Sequence, residues 1–258
     1  MDQDPGPDLT TGARSDRRSM PLVMLLPNLV TLLGLCAGLT SMRYVMLEMY
    51  EAAAALIVLA ALVDGLDGML ARKLNAASPF GAELDSLSDF VCFGVAPGFF
   101  VYHFALQDLG GPGWILALVF PLGACLRLAR FNVNRDVPLP PGVKPHFTGV
   151  PAPAGAMLGL LPVFLALAGW LDARQVPFLV ALYLALVGVL MISRLPTPSL
   201  KAVRVPRSMA LAVLLGVTLY LAALATRPWQ VLVLTDLAYL AVVLASVFKA
   251  IRPRSKAA

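Results

Sequence analysis

Residues 55–97 read ALIVLAALVDGLDGMLARKLNAASPFGAELDSLSDFVCFGVAP, and the four aspartates in that stretch decide how the chain folds. Asp64, Asp67, Asp85 and Asp89 interrupt two otherwise apolar runs. An aspartate near the middle of a membrane helix costs about 2.5 to 3.5 kcal/mol, so four left uncompensated would cost on the order of 10 kcal/mol. That rivals the whole stability of a typical domain. Either the runs are not in a membrane, or something compensates the acids.

The rest of the chain favours a membrane. Of the 258 residues, 59% are hydrophobic and 14% charged, with a mean hydropathy of +0.80, well outside the range of soluble globular domains. A transmembrane helix needs roughly 20 mostly apolar residues. Breaking the sequence at Pro, Gly and charge clusters gives about eight such spans: Leu22 to Met42, Ala52 to Leu70, Phe80 to Leu106, Trp114 to Phe131, Val150 to Leu171, Val176 to Ser193, Met209 to Ala225 and Val231 to Lys249. The expected fold is an all-α, polytopic membrane helix bundle with both termini cytoplasmic.

Basic residues set that orientation, because Lys and Arg in short loops collect on the cytoplasmic side. With the N-terminus inside, Arg14, Arg17, Arg18, Arg72, Lys73, Arg127, Arg130, Arg135, Lys144, Arg194, Lys201, Arg204, Arg207, Lys249, Arg252, Arg254 and Lys256 all fall there. Only Arg43, Arg174 and Arg227 are left outside. The net charge of +5 is thus spread over five segments and does not form a nucleic-acid patch. Residues 1–20 read as a disordered cytoplasmic tail, 21–250 as one membrane domain with its catalytic core at about 22–171, and 251–258 as a basic tail. The first apolar run is too long for a signal-peptide core and lacks a small-residue cleavage site, so it is expected to stay as the first helix. Cys36, Cys92 and Cys125 fall in helices and are expected to be buried free thiols. The Pro-rich stretch from Asn132 to Gly149 cannot be one helix.

Spacing shows how the four acids could share one partner. Asp64 and Asp67 are three apart and Asp85 and Asp89 four apart, so each pair lies on one helix face. The short link from Arg72 to Pro79 makes the two helices an antiparallel hairpin. At about 1.5 Å rise per residue both pairs then sit at similar depth, in the cytoplasmic third of the bilayer. Gly65, Gly68 and Gly81 leave room for a ligand or a backbone to approach. Hard divalent cations prefer carboxylate oxygens, and magnesium joins carboxylates to substrate phosphates. A dinuclear magnesium or manganese site acting on phosphate is the natural reading. Buried ion pairs with Arg72, Lys73 or the arginines near residue 130, or a cation pathway through a transporter, are the alternatives.

Taken as one string, residues 64–89 give D-x-x-D-G-x-x-A-R, eight residues, then G-x-x-x-D-x-x-x-D. This resembles the signature of the CDP-alcohol phosphotransferase (CDP-alcohol phosphatidyltransferase) family, with Asp64, Asp67, Gly68, Ala71, Arg72, Gly81, Asp85 and Asp89 in place. The stretches PNLVTLLGL (27–35), LDSLSDFVCFGVAP (84–97), LRLARFNV (126–133) and FTGVPAP (147–153) resemble its CDP-diacylglycerol–serine O-phosphatidyltransferase branch. Cys92 departs from that pattern, where a small polar residue such as serine is expected. Phe90 after the last aspartate weighs against a sister branch that places a lysine there.

The resemblance implies that Asp64, Asp67, Asp85 and Asp89 hold two Mg2+ or Mn2+ ions, that Gly68, Arg72 and Ser78 contact the headgroup of CDP-diacylglycerol, and that Asp89 is also the catalytic base. It further implies L-serine as acceptor, phosphatidylserine and CMP as products, a homodimer, and a bacterial or archaeal cell membrane with the site facing the cytoplasm. A rival within the family is another acceptor, such as glycerol 3-phosphate or an inositol phosphate. For the serine carboxylate the candidates are Arg127 and Arg130, with Asn132, because the guanidinium fork suits bidentate binding. His103 and His146 are weaker candidates for any role.

Overall fold

The computed structural model describes residues 25–74, 76, 78–135, 150–193 and 209–251. The described residues build an all-α bundle. Helix α1 (Leu26–Met46) carries Pro27 in its first turn, where the missing N–H is no loss. The chain reverses over Leu47–Met49, with Glu48 in the left-handed region at φ 58°, and enters α2 (Tyr50–Lys73). Helix α3 (Pro79–Asp89) opens on Ser78, whose extended backbone and side chain cap it: the Gly81 N–H donates to Ser78 Oγ at 3.0 Å.

After Asp89 the helix does not stop but widens. Phe90–Val95 is a π-helical stretch, α4 (Ala96–Val101) is regular, Tyr102–Leu106 is π-helical again, and Gln107–Leu109 tightens into a 3-10 turn. The Ala96 N–H reaches back five residues to the Val91 carbonyl. Pro97 follows at once; it has no N–H to donate and its ring crowds the preceding turn, both of which a wider turn accommodates. Gly110, at φ 58°, then turns the chain into α5 (Gly110–Arg135). Beyond it come α6 (Ala152–Leu167), a short turn at Ala173–Gln175, α7 (Pro177–Ile192), α8 (Ala210–Thr226) and α9 (Pro228–Ile251).

Helices α1, α2 and α9 and the continuous stretch 79–134 are long and apolar enough to cross a membrane, and α6, α7 and 211–226 are shorter apolar helices. The outer surface is lined by Leu, Val and Phe side chains such as Leu33, Leu62, Phe178 and Leu219, as lipid contact requires. Phe93, Phe100, Phe120 and Phe164 fill the interior. Where lipid gives no hydrophobic incentive for helices to associate, close backbone packing supplies it. Helices α5 and α7 cross at Gly123 and Gly188: a Cβ on Gly188 would stand 2.7 Å from the Val119 carbonyl oxygen and 2.8 Å from Phe120 Cα.

The eight expected spans are each represented by a helical segment, with shifted ends. The first begins at Leu26 and runs to Met46, and the second extends from Tyr50 to Lys73. Helix α5 reaches Arg135, so Asn132–Arg135 belong to a helix rather than to the Pro-rich stretch. The remainder of that stretch, with Lys144 and His146, lies outside the described residues. So do the expected tail 1–20, the basic segment Arg194 to Arg207 and the expected tail 251–258 apart from Ile251, which ends α9. The thiol expectation fails for two of three: Cys92 is buried, whereas Cys36 and Cys125 are exposed on outward faces.

Candidate active site

The site forms where one end of α1, α2, α3 and α5 meets. Asp67 is 4% exposed and accepts a hydrogen bond from Thr31 Oγ1 of α1 at 2.7 Å. One carboxylate oxygen each from Asp64, Asp67 and Asp85 lies within 4.8 Å of the others. Asp89, one turn beyond Asp85, is in side-chain hydrogen-bond contact with Asp64. All four aspartates line one small cavity together with Thr31, Ser88 and Cys92. Three hard oxygen donors at that mutual spacing, with a fourth acid alongside, fit a divalent cation bound by carboxylates.

Helix α1 reaches the acids because it is smooth on that side. Ser88 Oγ donates to the Thr31 carbonyl at 3.4 Å and Cys92 Sγ to the Gly34 carbonyl at 3.4 Å. A Cβ on Gly38 would stand 2.7 Å from Cys92 Sγ. Cys92 therefore occupies the position expected of a serine as a weak donor in a tight helix contact.

A wider cleft of about 280 Å³ adjoins Asp67 and Asp85. Its lining includes Asn28, Gly68, Arg72, Ser78, Gly81, Ser86 and Phe131. The three residues expected to meet a nucleotide headgroup, Gly68, Arg72 and Ser78, are thus brought together beside the acids. Among the described residues a Cβ on Gly65 would meet nothing within 4 Å, and one on Gly68 only Arg72 Nη1 at 3.8 Å, so these two glycines leave space open. Gly81 differs: its Cβ would press on Asn28 Oδ1 at 2.8 Å, so it serves the packing of α3 against α1. Ser78 both lines the cleft and caps α3.

The three serine-carboxylate candidates on α5 separate. Arg130 Nη1 donates to the Ile192 carbonyl at the end of α7 at 2.7 Å, and Asn132 Oδ1 accepts from Ser86 Oγ at 2.9 Å. Both tie helices together. Arg127 instead stands within electrostatic range of Asp89, and its buried Nε has no hydrogen-bond partner among the described residues. His103 lies far along the third span, in the second π-helical stretch, with a buried Nδ1 that has no partner among the described residues and its ring against Phe99.

Several polar residues of the bundle escaped sequence reasoning. Asn28 and Thr31 are polar residues three apart in an apolar helix, a signal of the same kind as the aspartates. Asp236 is an intramembrane acid that the same reasoning could have singled out. Tyr239 on α9, within electrostatic range of Arg127, carries no such signal.

Comparison with known proteins agrees with this geometry. The family model for CDP-alcohol phosphatidyltransferase matches residues 24–191. A protein of Mycobacterium leprae named CDP-diacylglycerol–serine O-phosphatidyltransferase is 39% identical over 236 residues, 90% of this chain and 77% of the relative. One of the same name from Mycobacterium tuberculosis is 36% identical, covering 89% and 80%. Another from Bacillus subtilis is 32% identical over 176 residues, 68% of this chain and 91% of the relative. With its acidic signature inside the matched region and folded into one site, the chain belongs to the CDP-alcohol phosphatidyltransferase family.

Proposed function

We propose that this membrane enzyme transfers the phosphatidyl group of CDP-diacylglycerol to the hydroxyl of L-serine, giving phosphatidylserine and CMP. The observation that supports the reading best is the adjacency of the three-carboxylate cluster to a cleft lined by Gly68, Arg72 and Ser78. The acceptor follows the names of the relatives, which extend across most of the chain.

Asp64, Asp67, Asp85 and Asp89 would hold two magnesium or manganese ions. When bound, these ions supply charge neutralisation for the nucleotide pyrophosphate and for the leaving phosphate of CMP. Arg72 pairs with the pyrophosphate from the cleft, and the open backbone at Gly68 lets the nucleotide lie close. Asp89 accepts the proton of the serine hydroxyl. The hydroxyl oxygen then forms its bond to the phosphorus attached to diacylglycerol as the bond from that phosphorus to CMP breaks. Arg127, which is within electrostatic range of Asp89 and whose Nε–H has no partner among the described residues, reads the serine carboxylate. A carboxylate so held lies next to the base that must receive the hydroxyl proton.

The cleft opens toward the cytoplasm in this reading, since the positive-inside pattern places Arg72, Lys73 and the end of α5 there. A homodimer belongs to the same reading and is checked by the mass of the detergent-solubilised particle. The decisive experiment supplies purified protein with CDP-diacylglycerol, manganese or magnesium, and a panel of alcohols. Metal-dependent CMP release that requires serine is expected. Release that requires glycerol 3-phosphate or an inositol phosphate would move the chain to another branch, and no release with any alcohol would favour a cation pathway.

A further inference from the structure

The cleft of about 280 Å³ beside the acids is walled by polar or small residues with one exception. Phe131, near the end of α5, is the one aromatic ring among the described residues that line it. It is 51% exposed, so packing does not use up the ring, and it stacks on no other ring among the described residues. Both chain neighbours are tied down. Arg130 Nη1 donates to the Ile192 carbonyl on α7 at 2.7 Å, and Asn132 Oδ1 accepts at 2.9 Å from Ser86 Oγ on α3, itself a residue of the cleft. The backbone on either side of Phe131 is therefore anchored to a different helix, and the ring is held at the cleft wall before any ligand arrives, which lowers the entropic cost of using it.

We propose that Phe131 is the stacking platform for the nucleobase of the bound nucleotide. The inference rests on the reading of this cleft as the nucleotide site. The polar lining accounts for the charged part of such a ligand, with Arg72 on the pyrophosphate. It leaves the base unserved, because hydrogen bonds satisfy the edge of a base and not its two flat faces. An aromatic ring laid against one face removes apolar surface from water and adds the attraction between offset rings. Every base has such a face, so the ring contributes affinity for a nucleobase without choosing among bases. The choice of cytosine then falls to groups that bond to its edge. Phe131 lies four residues beyond Arg127, one turn along the same face of α5. That face thereby serves both substrates, the acceptor through Arg127 and the nucleotide donor through Phe131.

The test is calorimetric binding of CMP, and separately of inorganic pyrophosphate, to the full-length protein in detergent with manganese. Phe131→Ala should raise the Kd for CMP roughly 5- to 100-fold, the range for losing one base–aromatic stack. Pyrophosphate carries no base, and its Kd should stay within about twofold. Phe131→Tyr keeps the ring and should bind CMP within about twofold of the wild-type protein. An unchanged CMP Kd in Phe131→Ala overturns the proposal, and a raised KM for CDP-diacylglycerol beside it would set the ring against the lipid half of the donor instead. An equal rise for CMP and pyrophosphate overturns it too, since that marks general damage to the cleft. So does a tyrosine variant as weak as the alanine one. Wild-type protein that does not bind CMP overturns the nucleotide reading of the cleft first, in the same experiment and before any variant.

Discussion

The hydroxyl of Thr31, on α1, donates to Oδ2 of Asp67, on α2, at 2.7 Å. One apolar helix thereby fixes the orientation of an acid on the next, and through it one wall of the carboxylate cluster. Outer partners of metal ligands typically matter 10- to 100-fold in affinity. Thr31→Val keeps the shape and removes the donor. The manganese concentration for half-maximal CMP release should rise at least about tenfold, with the serine KM little changed; a manganese titration of the purified variant checks this.

Asp89→Asn should leave a folded protein that still binds CDP-diacylglycerol but turns over at least about 100-fold more slowly, the usual contribution of a positioned base. Nucleotide binding by calorimetry, set beside initial rates of CMP release, separates the two effects. Near-normal turnover would remove Asp89 from the role of base.

Arg127 and Arg130 are three residues apart but should fail differently when replaced by lysine. Arg127→Lys should raise the serine requirement well above the CDP-diacylglycerol requirement, because a point charge cannot make the bidentate contact. Arg130→Lys should leave the serine KM near its original value and lower the melting temperature, since its donor ties α5 to the end of α7 at the Ile192 carbonyl.

Gly188→Ala pushes a methyl group against the backbone of α5 at Val119 and Phe120, where neither neighbour can swing away. A loss of about 1 to 3 kcal/mol is expected, seen as a lower thermal unfolding midpoint in detergent. Gly65→Ala, with no described neighbour within 4 Å, is the control and should unfold at the wild-type temperature.

Asp236 is 5% exposed on α9, and its Oδ2 has no hydrogen-bond partner among the described residues. An acid so placed costs free energy, and its Oδ2 gains no hydrogen bond among the described residues in return. Asp236→Asn and Asp236→Leu should therefore keep or raise the melting temperature. A clear loss of stability in both variants would mean that the carboxylate has a partner in the working enzyme.

Much of this was legible because membrane insertion makes charge conspicuous. The four aspartates stood out against Ala, Leu and Val, and their spacing placed them on facing stripes of one hairpin, which is where they meet. Gly68 and Arg72 stand in the same signature and Ser78 came with the wider resemblance; the structure lines one cleft with all three. The division of labour among Arg127, Arg130 and Asn132 was not. All three lie near one helix end, and what each meets depends on how α3 and α7 pack around that end. Cys36 and Cys125 were misplaced for a related reason: a helix that is apolar on every side does not announce which face is inward. Tyr239 was invisible because a tyrosine in an apolar helix reads as core or interface whatever it touches.

The wide turn after Asp89 reconciles two demands on a single span. The shared carboxylate cavity sets where Asp85 and Asp89 point, whereas packing sets where Phe93 and Phe100 point, and nothing obliges one uniform helical repeat to satisfy both. An i to i+5 turn takes up the difference as a phase adjuster. Deleting one residue between Phe90 and Val95 would rotate everything downstream by about 100°, swinging Phe100 out of the interior while leaving the acids in place. The chemical half and the packing half of the span can therefore drift apart in sequence without either dragging the other out of register, but only so long as the length between them is kept.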